Sequence, residues 1–219
     1  MAIFELKNAG YSYDGKKSVI KDCNFTFEKG KVYSIIGKSG AGKTTLLSML
    51  SGLTKPSSGE ILYNGENIKN INQYDYRSKY VGVIFQAYNL LPYLTAKENV
   101  ILSIDISEKK ITNKREKALT LLNNVGLRDE LIGRKILKLS GGEQQRVAIA
   151  RTLAYEPDVI LADEPTGNLD GETQDNIMDI FCKLAHEENK CIIIVTHSPD
   201  VAKRSDICYT IKATSNIKK

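Results

Sequence analysis

Through much of residues 1–75, apolar positions alternate with polar ones. IFELK (3–7) and NFTFE (24–28) put every second side chain on one face, the period of a half-buried strand. EILYNGENI (60–68) carries Asn64-Gly65, a two-residue hairpin signal. Between them, VYSII (32–36) is apolar without alternation and predicts a strand buried on both faces. From about 87 to 155 the period becomes helical. NKREKALTLLNNVG (113–126) sets Ala118, Leu121, Leu122 and Val125 on one face, with Gly126 as a C-cap. VGLRDELIGRK and the residues after Ser140 are expected to continue as helix. Beyond 157 short apolar runs return. DVILAD (158–163) predicts a buried strand, GETQDNIMDIFCKLAHEE (171–188) an amphipathic helix, and CIIIVTH (191–197) a further strand. Strand–helix–strand alternation implies a largely parallel sheet with helices on both faces. The 219 residues therefore read as a single α/β domain, with a core of 1–86 and 156–219 and a helical insertion at 87–155.

Composition changes this picture little. The chain is 42% hydrophobic and 26% charged, with a net charge of +5. Its lysines are scattered, and the one basic tail is IKK (217–219), so a solvated surface is favoured over a nucleic-acid stripe. Cys23, Cys182, Cys191 and Cys208 form no C-x-x-C pair and read as small, reduced, apolar residues. MAIFELKNAG does not have the pattern of a signal peptide, and no apolar run reaches the roughly 18 residues of a membrane helix. Any membrane association is expected to come through a partner.

Chemistry enters directly after VYSII. GKSGAGKTT (37–45) matches G-x-x-x-x-G-K-[ST] between a strand and a helix, the context a phosphate loop requires. Gly37, Gly40 and Gly42 allow a tight turn, so the backbone of Gly37, Lys38, Ser39, Gly40, Ala41 and Gly42 is expected to cradle phosphates. Lys43 brings a point charge, Thr44 a hydroxyl for Mg²⁺, and Thr45 a hydroxyl for an inner phosphate. VILADEP ends in Asp163-Glu164. Strand alternation sends these carboxylates to opposite sides, Asp163 to the metal and Glu164 to the attacking water. CIIIV ends in Thr196-His197, and His197 is expected to contact the γ-phosphate. Ligands of open α/β sheets sit at such strand ends. His186 reads as a helix-surface residue.

LSGGEQQR (139–146) is harder to place. Ser140 and Glu143 form a capping box that opens the helix VAIARTLA. A glycine-rich helix start with a serine hydroxyl is an anion site lacking its own lysine, in a chain that already has a full phosphate loop. Here the sequence resembles the nucleotide-binding subunit of ATP-binding-cassette (ABC) transporters along nearly its whole length. The resemblance implies a P-loop NTPase (RecA-like) core with an N-terminal antiparallel β subdomain and an inserted α-helical subdomain. It also implies that ATP, with Mg²⁺, is bound and hydrolysed by a head-to-tail homodimer. In that arrangement Ser140, Gly141, Gly142 and Gln144 of one copy close over the ATP on the phosphate loop of the other. Tyr13 resembles the aromatic that stacks on adenine, with Tyr11 or a plain surface tyrosine as alternatives. Gln86, in VGVIFQ, resembles the glutamine that senses Mg²⁺ and the γ-phosphate, and Asp170, in TGNLD, the residue that couples the two sites.

ADEPTGNLD and NLLPYLTAKENV resemble the branch containing lipoprotein-release, macrolide-exporter, antimicrobial-peptide-resistance and cell-division cassettes. That implies a transmembrane permease subunit as partner and a location on the cytoplasmic face of the membrane. A division-site regulator that transports nothing is the alternative. The long heptad insertion of DNA-repair relatives is absent.

Overall fold

The computed structural model describes residues 2–13, 18–107 and 111–212. Asp14-Gly15 beside Tyr13 and the IKK tail lie outside the described residues.

One sheet is wholly parallel, in the order β10 (Ile207–Thr210), β4 (Lys31–Ile36), β9 (Cys191–Thr196), β8 (Val159–Asp163), β7 (Val81–Ile84). Both its faces are covered, which explains the unbroken apolar runs of β8 and β9. Successive residues supply two cores. Ile160, Ala162, Ile192 and Ile194 face one, while Val159, Leu161, Ile193 and Val195 face the other. The first core is closed by α3 (Ala96–Ile106), α4 (Lys114–Asn124), α6 (Gly141–Leu153) and α7 (Gly171–His186). The second is closed by α1 (Lys43–Leu50) and by an antiparallel sheet. That sheet runs β2 (Ser18–Cys23), β1 (Ala2–Ser12), β5 (Ser58–Tyr63), β6 (Glu66–Asn67), with β3 (Thr26–Glu28) also paired to β1. Short helical turns complete the chain: α2 (Gln73–Asp75), a π turn at Tyr76–Tyr80, α5 (Asp129–Ile132), a 3₁₀ turn at Ile136–Lys138, and α8 (Pro199–Lys203).

The hairpin at Asn64-Gly65 forms as its signal predicts. Both residues have positive φ, 50° and 81°, and Tyr63 pairs with Glu66. Helix α4 buries Ala118, Leu121 and Leu122, with Val125 buried just past its end, and stops at Gly126, whose φ is 73°. Three expectations need correction. VGLRDELIGRK forms only the single turn α5, because Gly126 and Gly133 interrupt it. Residues 87–95 are not helical; the first helix after Gln86 starts at Ala96 behind a Thr95 capping box. Cys208 is exposed on β10, unlike Cys23 and Cys191, whose buried thiols are pushed up, that of Cys23 to about 11. His186 is exposed at the end of α7, as expected, and its Nε2 lies 2.9 Å from Asp206 Oδ2, the same oxygen that accepts the Val32 N–H at 2.7 Å.

Phe181 is fully buried between α7 and the sheet. Phe181→Ala is expected to cost about 3–5 kcal/mol in urea denaturation. A loss under about 1 kcal/mol would contradict this packing.

Candidate functional site

Strand β4 ends at Ile36, and residues 37–42 turn back into α1. Gly40 and Gly42 have φ of 75° and 92°, as a tight inward turn requires. Gly37 is needed for a different reason: a Cβ there would lie 2.7 Å from the carbonyl oxygen of Ile211, beside β10. Lys38, Ser39 and Gly40 are exposed, whereas Ala41 is buried and its N–H donates to the Lys38 carbonyl at 3.0 Å. The Ala41 amide is therefore already engaged. Lys43 Nζ donates to the Gly37 carbonyl at 2.9 Å, folding the ammonium over the loop. Thr44 is exposed at the start of α1. The Tyr13 hydroxyl is 3.3 Å from Thr45 Oγ1, and its exposed ring meets Tyr11 edge to face at 5.0 Å.

Beside the loop, β8 and β9 end together, with Asp163 opposite Val195 and Ile36 opposite Thr196. Asp163 hydrogen-bonds with Thr44. Burial pushes its carboxyl up, against the pull of that bond and of Lys43. Glu164 does not follow strand alternation as expected. The strand has ended, and Glu164 adopts a left-handed φ of 46°. That turn aims its carboxylate at the end of β9. It accepts from Thr196 Oγ1 at 3.0 Å and from the His197 N–H at 3.3 Å, and its Oε1 lies 2.7 Å from His197 Nδ1. Gln86 follows β7 and is exposed, with its amide nitrogen near Gly167.

The capping box of LSGGEQQR is present. Glu143 N–H donates to Ser140 Oγ at 3.4 Å, and Ser140 N–H donates to Glu143 Oε2 at 2.8 Å. Ser140 is exposed. The two glycines are packed from behind. A Cβ on Gly141 would lie 3.2 Å from the Tyr88 hydroxyl, and one on Gly142 would lie 2.4 Å from Thr173 Cγ2. The Gln144 side chain donates to the Leu139 carbonyl at 2.9 Å. Asp170 caps α7, accepting from Thr173 N–H and Oγ1 at 2.9 Å each, which holds its carboxyl below the usual range. Among the described residues, no hydrogen bond joins 37–45 to 140–144.

The ABC transporter family model matches residues 20–167. The chain belongs to the ABC transporter family. It is an ATP-binding subunit of that family and an ATPase. It is 47% identical over 208 residues to the uncharacterized ABC transporter ATP-binding protein YclH of Bacillus subtilis, covering 94% of this chain and 92% of that one. It is 43% identical over 195 residues to the lipoprotein-releasing system ATP-binding protein LolD of Syntrophus aciditrophicus, covering 87% of each. Its fold matches the dimeric ATP-binding cassette MJ0796 in a post-hydrolysis state bound to ADP and Pi. The TM-score is 0.85 at 34% identity, with 97% of each chain covered.

Within this ABC subunit the structure brings Lys43, Thr44, Asp163, Glu164 and His197 to one sheet edge, and sets Ser140 to Gln144 on a separate helix start. Sequence reasoning missed Thr196, which holds Glu164, and Ile211, which requires Gly37. Thr196 stood one residue before His197 and was legible as the strand's last polar group. Ile211 was not, because its contact spans the whole chain.

The folded chain binds the Asp163 proton more tightly than an unfolded chain with an ordinary carboxylate near pKa 3.9. Its charge therefore subtracts stability once pH rises through and above that window. Asp163→Asn is expected to raise the thermal midpoint of the nucleotide-free chain at pH 7, with the gap closing as pH falls into the carboxylate range. Equal midpoints at pH 7 would contradict a desolvated Asp163.

Proposed function

We propose that two copies of this chain close head to tail over two ATP molecules and so drive a transmembrane permease at the cytoplasmic face of the membrane. The observation that carries this is the exposed, capped helix start at Ser140, which has no phosphate-binding lysine of its own and no bond to its own phosphate loop. A self-complementary pair of chains gives each loop a signature from its mate.

Each residue then has a task. The loop backbone of residues 37–42, apart from the engaged Ala41 amide, and Lys43 bind the phosphates, and Thr45 faces an inner one. Tyr13 offers its exposed ring to the adenine. Thr44, Gln86 and Asp163 form an all-oxygen donor set, the kind a hard cation takes, so the residues fit Mg²⁺. Bound there, Mg²⁺ would offset phosphate charge. Glu164 turns from His197 to the attacking water and takes its proton as the water oxygen bonds to the γ-phosphorus and the bond to ADP breaks. His197 is then free to hold the γ-phosphate. Ser140, Gly141, Gly142 and Gln144 approach the partner's γ-phosphate, and Asp170 lies where the two sites meet.

The permease would dock on a groove beside Gln86. It is lined by Tyr74, Arg77, Ser103, Ile106 and Tyr155 and continues to Phe85. Tyr74 and Ile106 are exposed, as a surface awaiting apolar helices would be. No helix among the described residues is long and apolar enough to cross a membrane. ADEPTGNLD and the likeness to LolD support the lipoprotein-release branch, in which closure of the dimer transmits force to the permease. Export of another cargo and a division-site role remain readings of the same geometry.

Glu164→Gln is expected to lower turnover about a hundredfold or more and to trap an ATP-bound dimer on size-exclusion chromatography. Monomer alone, with tight ATP binding confirmed, would contradict the closed pair. Lys43→Ala is expected to weaken nucleotide binding itself; unchanged ATP affinity would remove Lys43 from its role.

A further inference from the structure

Directly after Gln86 the backbone does something unusual. Tyr88 and Asn89 are consecutive non-glycine residues in the left-handed region, with φ of 58° and 51°. L side chains disfavour that conformation, so two in succession need an external hold. The hold comes from Arg151, on the helix that LSGGEQQR opens. Arg151 Nη2 donates to the Tyr88 carbonyl at 2.9 Å, and Nη1 donates to the Asn89 carbonyl. A planar guanidinium fork serves two adjacent acceptors in a way an ammonium cannot. The same two elements also come close at the other end of α6, where the Tyr88 hydroxyl sits 3.2 Å from the place a Cβ on Gly141 would take.

We propose that Arg151 is a positioning residue that ties the Gln86 turn to helix α6, so that a chain's Gln86 and its own signature helix start move as one body. Gln86 serves the ATP on its own phosphate loop, whereas Ser140 to Gln144 serve the ATP of the partner. A rigid tie between them makes the two nucleotide sites of a dimer report to each other. Arg151 also lines the groove beside Phe85 and Tyr155, so pressure on that groove bears on the same tie. Burial lowers the Arg151 pKa, and a guanidinium keeps its charge at neutral pH. The inference rests on the role proposed for Gln86.

The test uses the purified full-length chain. Arg151→Ala is expected to lower kcat for ATP hydrolysis at least about tenfold, with KM for ATP changed less than about twofold. Hydrogen exchange supplies a readout apart from turnover. In the Glu164→Gln background, ATP is expected to protect residues 37–45, 86–91 and 140–146 together. With Arg151→Ala added, 37–45 stay protected while 86–91 do not. A kcat held within twofold, or protection of 86–91 as in the parent, overturns the inference. Should the alanine variant fail to fold, Arg151→Lys retains the charge with one carbonyl bond. Intermediate values of both readouts support the tie, and parental values overturn it. Gln86→Ala separates the two levels. If it leaves turnover intact, the role of Gln86 fails, whereas if it abolishes turnover while Arg151→Ala does not, only the tie fails.

Discussion

Strand β9 lies between β4 and β8 with every residue from Cys191 to Thr196 buried, and its register with both neighbours sets everything chemical in this molecule. Because Ile36 pairs with Thr196 and Asp163 with Val195, three chain segments far apart in sequence leave the sheet at one level. A slip of one residue would turn each strand's side chains to the opposite core. Burial on both faces forbids that slip, since the two cores have different shapes and partners. The positions of Lys43, Asp163, Glu164 and His197 are thus consequences of hydrophobic packing below them.

The contacts around the site also define which bonds the proposed nucleotide would exchange. Lys43 rests on a backbone carbonyl and Glu164 on Thr196 and His197, so each charged group has a partner within the chain. Such contacts keep the groups hydrogen-bonded and oriented. Phosphate oxygens would replace the first and free the second. The helix start at Ser140 differs, because its capping box is complete and its glycines are packed from behind by Tyr88 and Thr173. It is held in place by contacts within the chain, as the role proposed for it in the partner's site requires.

Much of this was legible in the residues themselves. The apolar runs of β4, β8 and β9, the Asn64-Gly65 hairpin, the amphipathic face of α4 and the capping box at Ser140 all follow local rules of period and turn chemistry. Edge strands were harder. β10 alternates only half-buried and exposed residues and β2 opens on partly exposed ones, while β7 is four residues long with Gly82 in it, so none stands out by periodicity. At the site, Lys43, Asp163, Glu164 and His197 were found by motif, yet Glu164 reaches its place through a left-handed turn that no alternation rule foresees. Arg151 was invisible in the sequence for a related reason. Its partners are carbonyl oxygens 62 and 63 residues away, and backbone acceptors leave no side-chain signature.

The central claim is that one copy of the chain holds half of each ATP-hydrolysing site. The most direct measurement is ATPase rate per chain over a dilution series, with light scattering reporting the oligomeric state at each concentration. The account predicts that the rate per chain falls toward zero as the chains separate into monomers and reaches a plateau where dimers dominate. A rate per chain that stays constant down to dilutions where only monomers remain would contradict it.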